Sequence, residues 1–315
     1  MQIAKVQTAD GGVRIVQKKK TDRNAVRLDD TYETLDADRL KTLQKVLLAT
    51  LLELDRVCRK NDIRYFLAGG TLLGAIRHHG FIPWDDDVDV MMPREDYEKF
   101  LRVAENDLSD KLFLQRANYN PYTRLRVNGT VFASEFMARF SDIHSGIFLD
   151  IFAHDRTAGH AWSQKLHRMV TKVTRSIVFN KWGNTEIKGD GSHPVIRWIG
   201  SRVKGLIPMK LAIWMRDQTL VIFRNRETGY LYDGMGQNMA RGAFPEKWLS
   251  EVLYVDFEGY SLPVPKEYDA YLTWLYGDYM WLPPKEQRHP GHDTVKLDFG
   301  KYEDIAWERA DQIFR

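Results

Sequence analysis

Residues 63–92, IRYFLAGGTLLGAIRHHGFIPWDDDVDVMM, decide the predicted fold. The first six residues form a mostly apolar run typical of a buried strand, and a Gly-Gly-Thr turn separates this run from a helical segment. Four acidic residues then fall within five positions, and the last two alternate with valine as Asp87-Val88-Asp89-Val90. Because alternate side chains of a strand share a face, we expect both aspartates on one side and both valines in the core.

The paired aspartates predict a metal site. Two neighbouring carboxylates repel each other unless a cation lies between them, and hard oxygen ligands favour Mg²⁺ or Mn²⁺. A third carboxylate is expected from another strand, and Asp150 is the lone charge in the run GIFLDIF at residues 146–152. We therefore predict that Asp87, Asp89 and Asp150 are the metal ligands and catalytic residues. The alternative for Asp150 is a salt bridge to a neighbouring arginine.

A phosphate-binding group is predicted at the start of the helix. Glycine lets the backbone approach a ligand closely, and a helix N-terminus offers free N–H groups to an anion. Arg77 lies two turns further on, and its planar guanidinium suits a phosphate. A surface position or an ion pair with the acidic cluster is the alternative for Arg77. The predicted phosphate-binding residues are Gly69, Gly70, Thr71 and Arg77.

A third group of side chains is predicted to contact the substrate. Trp84 either covers the core or stacks on a base or a cationic ligand. Tyr276, Tyr279 and Trp281 could form an aromatic cage for a quaternary ammonium, with core packing as the alternative for at least two of the three. Zinc is not favoured, because the two histidines near the C-terminus have no Cys pair to complete a site. The predicted substrate-binding residues are Trp84, Asp85, Asp86, Tyr279, Arg288, His289 and His292.

Composition places the chain among soluble globular proteins. It has 315 residues, of which 43% are hydrophobic and 28% charged. Its single cysteine, Cys58, cannot form an internal disulfide. The N-terminus lacks the apolar stretch of a signal peptide, and no run reaches the roughly 18 apolar residues of a membrane span. A cytoplasmic location is therefore expected.

Residues 160–226 form a basic segment. They contain 13 Lys or Arg and only three acids, so their net charge is +10, and the rest of the chain carries −7. Four tryptophans are interleaved with the cations. One interpretation is a patch that contacts anionic lipid at the inner face of the membrane, and the other is a packed helical subdomain with solvated cations. We favour a helical subdomain with one basic face toward a membrane or an anionic polymer. Nucleic acid is not an expected partner, because the acidic cluster would repel its phosphates.

The pattern of helices and strands divides the chain into four predicted parts. A leucine stripe at spacings of three and four predicts a helix over residues 38–60, and Asn128-Gly129 predicts a hairpin turn. The predicted strands are 63–68, 87–92, 111–116, 122–127, 130–137 and 146–152. The predicted parts are a polar N-terminal arm (1–34), a catalytic core (35–158), a basic helical segment (159–228) and a C-terminal part that completes the active site (229–315).

The run LAGGTLLGAIRHHGFIPWDDDVDVMMPREDYEKF at residues 67–100, together with GIFLDIF and with YGDYMWLPP at residues 276–284, resembles the LicD family of phosphocholine transferases, which is related to the fukutin-related proteins. The resemblance implies a nucleotidyltransferase-like α/β (α+β) fold with a mixed sheet and flanking helices, to which this chain adds the basic helical subdomain. It also implies magnesium-dependent transfer of phosphocholine from CDP-choline to a sugar hydroxyl of a teichoic acid or another cell-surface glycan, lipid-linked or free, with release of CMP.

Two other functions stay open at this point. A nucleotidyltransferase, or a transferase of another phospho-substituent on the same scaffold, would use the same carboxylates. A non-enzymatic glycan- or nucleic-acid-binding module would account for the basic segment. The binding module is disfavoured, because a pure binder of phosphate has no use for four clustered aspartates.

Overall fold

A seven-stranded mixed sheet with flanking helices lies at the centre of the computed structural model, which describes residues 3–7, 13–17, 35–117, 122–134, 144–182, 206–292, 294–303 and 307–314. The helices are α1 (Ala37–Lys60), α2 (Gly69–His78), α3 (Arg94–Asp107), α4 (Ala161–Trp182), α5 (Met209–Val221) and α6 (Tyr268–Tyr276). The strands are β1 (Ile3–Gln7), β2 (Val13–Gln17), β3 (Phe66–Leu67), β4 (Asp89–Pro93), β5 (Leu112–Gln115), β6 (Thr123–Val127), β7 (Val131–Ser134), β8 (Phe148–Arg156), β9 (Tyr230–Tyr232), β10 (Ala243–Pro245), β11 (Val252–Phe257), β12 (Tyr260–Pro265) and β13 (Thr294–Asp298).

Strand β8 organises the sheet. It pairs in parallel with β4 along one edge. Along its other edge it pairs antiparallel with β6 at its start and with β9 at its end. The sheet order is β10-β9-β8-β4-β3, with β6 and then β5 attached beside β8. The predicted mixed α/β fold is therefore confirmed.

Helix α1 forms as the leucine stripe predicts. Asp36 is its N-cap and accepts a hydrogen bond from the Arg39 backbone N–H at 2.8 Å, which satisfies one of the donors left free in the first turn. Arg59 and Lys60 stand in the last turn, where positive charge opposes the negative end of the helix dipole. The stripe is buried in one large core that extends from Leu40 to Phe314.

The predicted strands form near their expected positions, but their first and last residues differ from the predicted ones. The strand expected at residues 63–68 shortens to β3, and the strand expected to begin at residue 87 begins at Asp89. A turn forms at Asn128-Gly129, with Gly129 at φ +78°, but the predicted hairpin is wrong, because β6 pairs with β5 and β8 whereas β7 pairs with β13. The returning strand, predicted over residues 130–137, spans Val131–Ser134, and residues 135–143 lie outside the described part of the chain.

Helices α4 and α5 emerge from the sheet as an insertion whose two ends meet. The Thr157 backbone N–H donates to the Tyr230 carbonyl at 3.0 Å, so the chain leaves β8 beside the point where it enters β9. The two helices pack together through Ile177, Val178 and Ala212. Residues 183–205 between them lie outside the described residues. Within the described residues, no helix combines the length and the apolar character needed to cross a bilayer.

Candidate active site

Asp89 of β4 and Asp87, two residues before this strand, meet Asp150 where β4 and β8 run side by side. In this parallel pairing Asp89 is the register partner of Asp150, and the Asp150 N–H donates to the Val88 carbonyl at 3.0 Å. Val88 and Val90 are fully buried, whereas Asp87 and Asp89 are partly exposed, as the alternation predicted. The three acids therefore converge, and their role as metal ligands stays a prediction.

Asp150 also has the arginine partner that formed the alternative. Arg124 is its register neighbour on β6, and the guanidinium donates from Nε at 2.5 Å and from a terminal nitrogen at 3.1 Å to the two carboxylate oxygens. The guanidinium lies 4.0 Å above the centre of the Phe148 ring. Burial lowers the pKa of Arg124, but the adjacent carboxylate outweighs burial and leaves it raised. Both arrangements therefore coexist: Asp150 faces the acids of β4 and is held by an arginine.

The Gly-Gly turn fits closely against the acids. A Cβ atom on Gly69 would lie 2.9 Å from an oxygen of Asp89, and one on Gly70 would lie 2.8 Å from an oxygen of Asp85. Gly69 also has φ +51°, which side chains other than glycine rarely adopt. Thr71 is buried, and its hydroxyl oxygen accepts the Asp89 N–H at 2.9 Å. The turn thus brings the positive N-terminus of α2 onto the carboxylates, and its contact with a phosphate stays a prediction.

The acids repel one another strongly. Burial, followed by the charges of its acidic neighbours, raises the pKa of Asp85 well above its ordinary range, and the same causes act on Asp89. Burial also raises the pKa of Asp87 to about 6, although nearby His292 opposes the shift. These shifts mean that the fully ionised cluster is unfavourable without a compensating cation.

Asp86 differs from its neighbours because it ties the acidic loop to the C-terminal part of the chain. Its side chain is fully buried and accepts the backbone N–H groups of Gly291 at 3.0 Å and His292 at 3.1 Å. His292 Nδ1 lies 3.1 Å from the same carboxylate and 3.9 Å from Asp87. Burial lowers the pKa of His292, but the hydrogen bond and charge of Asp86, followed by the charge of Asp87, raise it overall. We call these contacts the Asp86 clamp.

The donors of this site fit a cation. Within the described residues, one ligand atom each from Asp86, Asp87 and His292 lie within 4.8 Å of one another. This group differs from the predicted set, because it shares only Asp87 with it. The surrounding carboxylates add hard oxygen donors of the kind that Mg²⁺ and Mn²⁺ prefer. The site can therefore hold a metal, although its identity stays a prediction.

The other predicted residues have partners within the protein. Arg77 donates to the backbone carbonyls of Tyr279 at 2.8 Å and Trp281 at 3.2 Å, so it anchors the YGDYMWLPP segment. The guanidinium of Arg288 lies 5.5 Å from the centre of the Trp84 ring, which gives this indole a cationic neighbour from the chain itself.

Tyr279 and His289 lie nearer the surface. The Tyr279 hydroxyl donates to Asp269 at 2.7 Å. His289 is exposed, and its Nδ1 lies 3.0 Å from the Pro290 carbonyl. The structure therefore brings Asp85, Asp86, Asp87, Asp89, Asp150 and His292 together, and it joins Arg77 to the Tyr279 carbonyl and Arg288 to the Trp84 ring. Their contacts with substrate stay predictions.

Sequence analysis missed one residue of this neighbourhood and named another only as a member of the possible aromatic cage. Arg124 stands in the strand TRLRV together with Arg126, and two arginines within one short strand were an available signal. Tyr276 is half-exposed, and burial followed by the charges of Asp89, Asp85 and Asp87 raises its pKa. Tyr276 is one of the three residues of the possible aromatic cage, and its contact with a substrate stays a prediction.

Comparison with known proteins matches this geometry to a family. Residues 62–183 match the family described as LicD/FKTN/FKRP, nucleotidyltransferase domain. The chain is 29% identical over 273 residues to the lipopolysaccharide cholinephosphotransferase LicD of Haemophilus influenzae, a match that covers 80% of this chain and 96% of that protein. It is also 59% identical over 34 residues to the human and mouse ribitol 5-phosphate transferase FKRP, which is 11% of this chain and 7% of those proteins. With the mixed sheet and its cluster of acids, these matches identify residues 62–183 as a LicD/FKTN/FKRP nucleotidyltransferase domain, in a chain that is similar to LicD over most of its length.

Proposed function

We propose that this protein transfers phosphocholine from CDP-choline to a sugar hydroxyl of a cell-surface glycan, such as a teichoic acid, and releases CMP. The observation that supports this most is the meeting of Asp89 and Asp150 on parallel strands, beside two further acids with raised pKa values. A diphosphate donor carries negative charge and would be repelled by this cluster unless a divalent cation accompanied it. The similarity to LicD over most of both chains supports phosphocholine as the group transferred.

Asp87, Asp89 and Asp150 would hold Mg²⁺ or Mn²⁺, with Asp86 and His292 beside them. A bound cation of this kind supplies charge neutralisation to the phosphoryl oxygens and to the leaving group. Arg124 holds the Asp150 carboxylate in place through two hydrogen bonds, and the Asp86 clamp fixes the acidic loop. The N-terminus of α2 keeps positive potential against these acids.

The acceptor hydroxyl would attack the phosphorus on the choline side of the diphosphate. The bond between that phosphorus and the bridging oxygen breaks, and CMP leaves with the bridging oxygen. Asp150 is the residue we assign to accept the proton of the hydroxyl. Trp84 and Tyr279 are the aromatic residues we assign to contact the donor, since Trp84 directly precedes the acidic cluster and aromatic rings attract quaternary ammonium groups.

The direct test is incubation with CDP-choline, Mg²⁺ and a teichoic acid or lipopolysaccharide acceptor. We expect CMP in solution and choline on the glycan, measured by chromatography and by mass spectrometry of the product. The Asp87→Asn/Asp89→Asn double variant should be inactive while keeping its fold. Turnover that survives in this variant would reject the assignment of the site.

A second candidate is transfer of another phospho-substituent on the same scaffold. The similarity to a ribitol 5-phosphate transferase over 34 residues favours keeping it. CDP-ethanolamine and CDP-ribitol in place of CDP-choline distinguish these functions, because the correct donor releases CMP fastest. Cytidine retained on the product would instead indicate nucleotidyl transfer.

A further inference from the structure

Helix α4 exposes a stripe of apolar side chains. Trp162 is 72% exposed and Met169 57%, and the stripe follows spacings of three and four along the helix. Its members are Trp162, Leu166, Met169, Val170 and Val173. At a rise of about 1.5 Å per residue the stripe is roughly 16 Å long. Large apolar side chains in a row on the surface of a helix usually mark a contact with something outside the chain.

The opposite side of α4 is polar and buried. His167 Nδ1 lies 2.8 Å from the Thr157 hydroxyl, and its Nε2 lies 2.8 Å from the Thr219 carbonyl. The Thr171 hydroxyl lies 3.0 Å from that of Tyr232. Turning the helix to bury its apolar stripe would break these hydrogen bonds inside the protein, which is costly. The outward direction of the apolar side chains is therefore fixed by the fold.

Cations accompany the stripe. Lys165 and Lys172 are exposed and lie on the same flank of the stripe, two helical turns apart. The neighbouring helix α5 exposes Lys210 and Trp214. The basic segment that contains both helices has a net charge of +10. Its charge is therefore opposite to that of an anionic lipid surface.

We propose that the exposed face of α4 docks in the plane of an anionic lipid bilayer. A convex helix with Trp, Leu, Met and Val on one arc and lysines beside it can lay its apolar side chains among acyl chains while the ammonium groups reach the headgroups. The long aliphatic stems of Lys165 and Lys172 allow this arrangement. The inference is independent of the proposed reaction, since it concerns a surface formed by other residues.

The test is co-sedimentation of the full chain with vesicles of phosphatidylcholine alone, or of phosphatidylcholine mixed with phosphatidylglycerol. The expected result is binding to the mixed vesicles that is at least about tenfold tighter than binding to the neutral ones. Leu166→Glu/Met169→Glu should weaken binding to the mixed vesicles at least about tenfold, because it places two charges in the apolar stripe. The matched control is Val252→Glu/Leu253→Glu, which changes two exposed apolar residues of β11 and should leave binding unchanged.

The outcomes separate this proposal from its competitors. Both double variants should keep the thermal unfolding midpoint of the original chain, because the replaced side chains are exposed. Equal binding by the α4 variant and the original chain would overturn the proposal, as would loss of binding only in Lys165→Glu/Lys172→Glu. Light scattering that shows a dimer, broken into monomers by the α4 variant without any change in vesicle binding, would assign the stripe to self-association instead. CMP release with a water-soluble acceptor should be the same in all variants, so failure of the docking is distinguishable from failure of the enzyme.

Discussion

The buried, mutually repelling acids of the site lower the stability of the folded protein. Asp85, Asp87 and Asp89 lie close enough to raise one another's pKa, although each could be replaced by a neutral residue of similar size. Sites that bind charged ligands often keep such repulsion, because the ligand relieves it. Replacing an acid of the cluster by a neutral residue should therefore raise the stability of the metal-free protein and lower its activity.

Asp87→Asn is expected to stabilise the metal-free protein and to remove activity. The pKa of Asp87 is about 6 in the fold, against an ordinary value of 3.8. A carboxyl whose pKa is raised in the folded state makes that state less stable as the pH rises through the folded pKa, so the original chain should lose stability between pH 3.8 and about 6. The variant should lose less, by on the order of 1 kcal/mol at pH 8, and Mg²⁺ should stabilise it less. Thermal unfolding with EDTA or with Mg²⁺ measures both effects.

Exposed Asp256 offers the control for this prediction, because Asp256→Asn removes one carboxylate outside the cluster. It should change neither the pH profile nor the response to Mg²⁺. Activity should fall in Asp87→Asn by more than the ~100-fold typical of losing an outer contact of a metal site. A variant that is less stable than the original chain at pH 8 would contradict the account of repulsion.

Gly69→Ala tests whether the Gly-Gly turn is required by the carboxylates. The variant should lose activity for two reasons, the positive φ and the contact of its Cβ with Asp89. Gly129→Ala shares the first reason, since Gly129 has φ +78°, but its Cβ would have no neighbour within 4 Å. Both should lose about 1 kcal/mol of stability from backbone strain. Only Gly69→Ala should reduce the rate of CMP release, and equal rates in the two variants would reject the requirement.

Among the helices and strands, the sequence predicted those features that depend on residues close together in the chain. The leucine stripe located α1, and the Asp-Val alternation located β4 and its exposed face. The meeting of Asp89 with Asp150 followed from the need of a buried charge for a partner. Arg124 could not be predicted as that partner, because its position depends on the register of β6 against β8.

The Asp86 clamp shows the same limit more strongly. Asp86 is one of three consecutive aspartates, and nothing in the sequence sets it apart from Asp85 and Asp87. Its distinct role comes from two N–H groups more than 200 positions away in the chain. Contacts between such distant segments depend on the whole fold, so pattern and spacing do not indicate them.

Asp86→Asn should loosen the segment that the clamp holds. The amide keeps one acceptor oxygen but turns an NH₂ group toward a partly buried backbone N–H, which leaves that donor without its partner and costs about 1 kcal/mol. Activity should fall about 10- to 100-fold, as for other outer contacts of a metal site. Urea unfolding gives the stability, and limited proteolysis with trypsin at Arg288 reports the loosening directly.

Asp298→Asn is the matched control for the clamp. Asp298 also accepts a backbone N–H, from Gly300 at 2.8 Å, but it is exposed to water. Its variant should therefore be close to neutral in all three measurements. If Asp86→Asn is too unstable to purify, His292→Gln removes only the side-chain part of the clamp and should still speed cleavage. Cleavage at Arg288 that is unchanged in both clamp variants would show that the segment is held by other contacts.

For the whole molecule, the core and the insertion predict opposite responses to deletion. One buried core includes residues of α1, of the sheet and of the C-terminal part, with Leu43 and Phe257 as members. The parts predicted at 35–158 and 229–315 therefore share their hydrophobic interior. A chain that ends at residue 228 should not fold, because it loses β9 and β10 from the sheet and a large share of this interior.

Excision of residues 160–227 should give the contrasting result. Because the Thr157 N–H bonds to the Tyr230 carbonyl at 3.0 Å, a short Gly-Ser linker can join the two ends without moving β8 or β9. The excised chain loses the contacts of α4 and α5 with Tyr232 and with Thr157, so it should be less stable than the original chain but still unfold in one cooperative step. It should keep Mg²⁺-dependent CMP release with a water-soluble acceptor, since the acids of the cluster lie in the loop between α2 and β4, on β4 and on β8. Calorimetry and the CMP assay check both deletions side by side. A folded 1–228 chain would show that the boundary between core and insertion lies elsewhere, and so would an excised chain that unfolds without a transition.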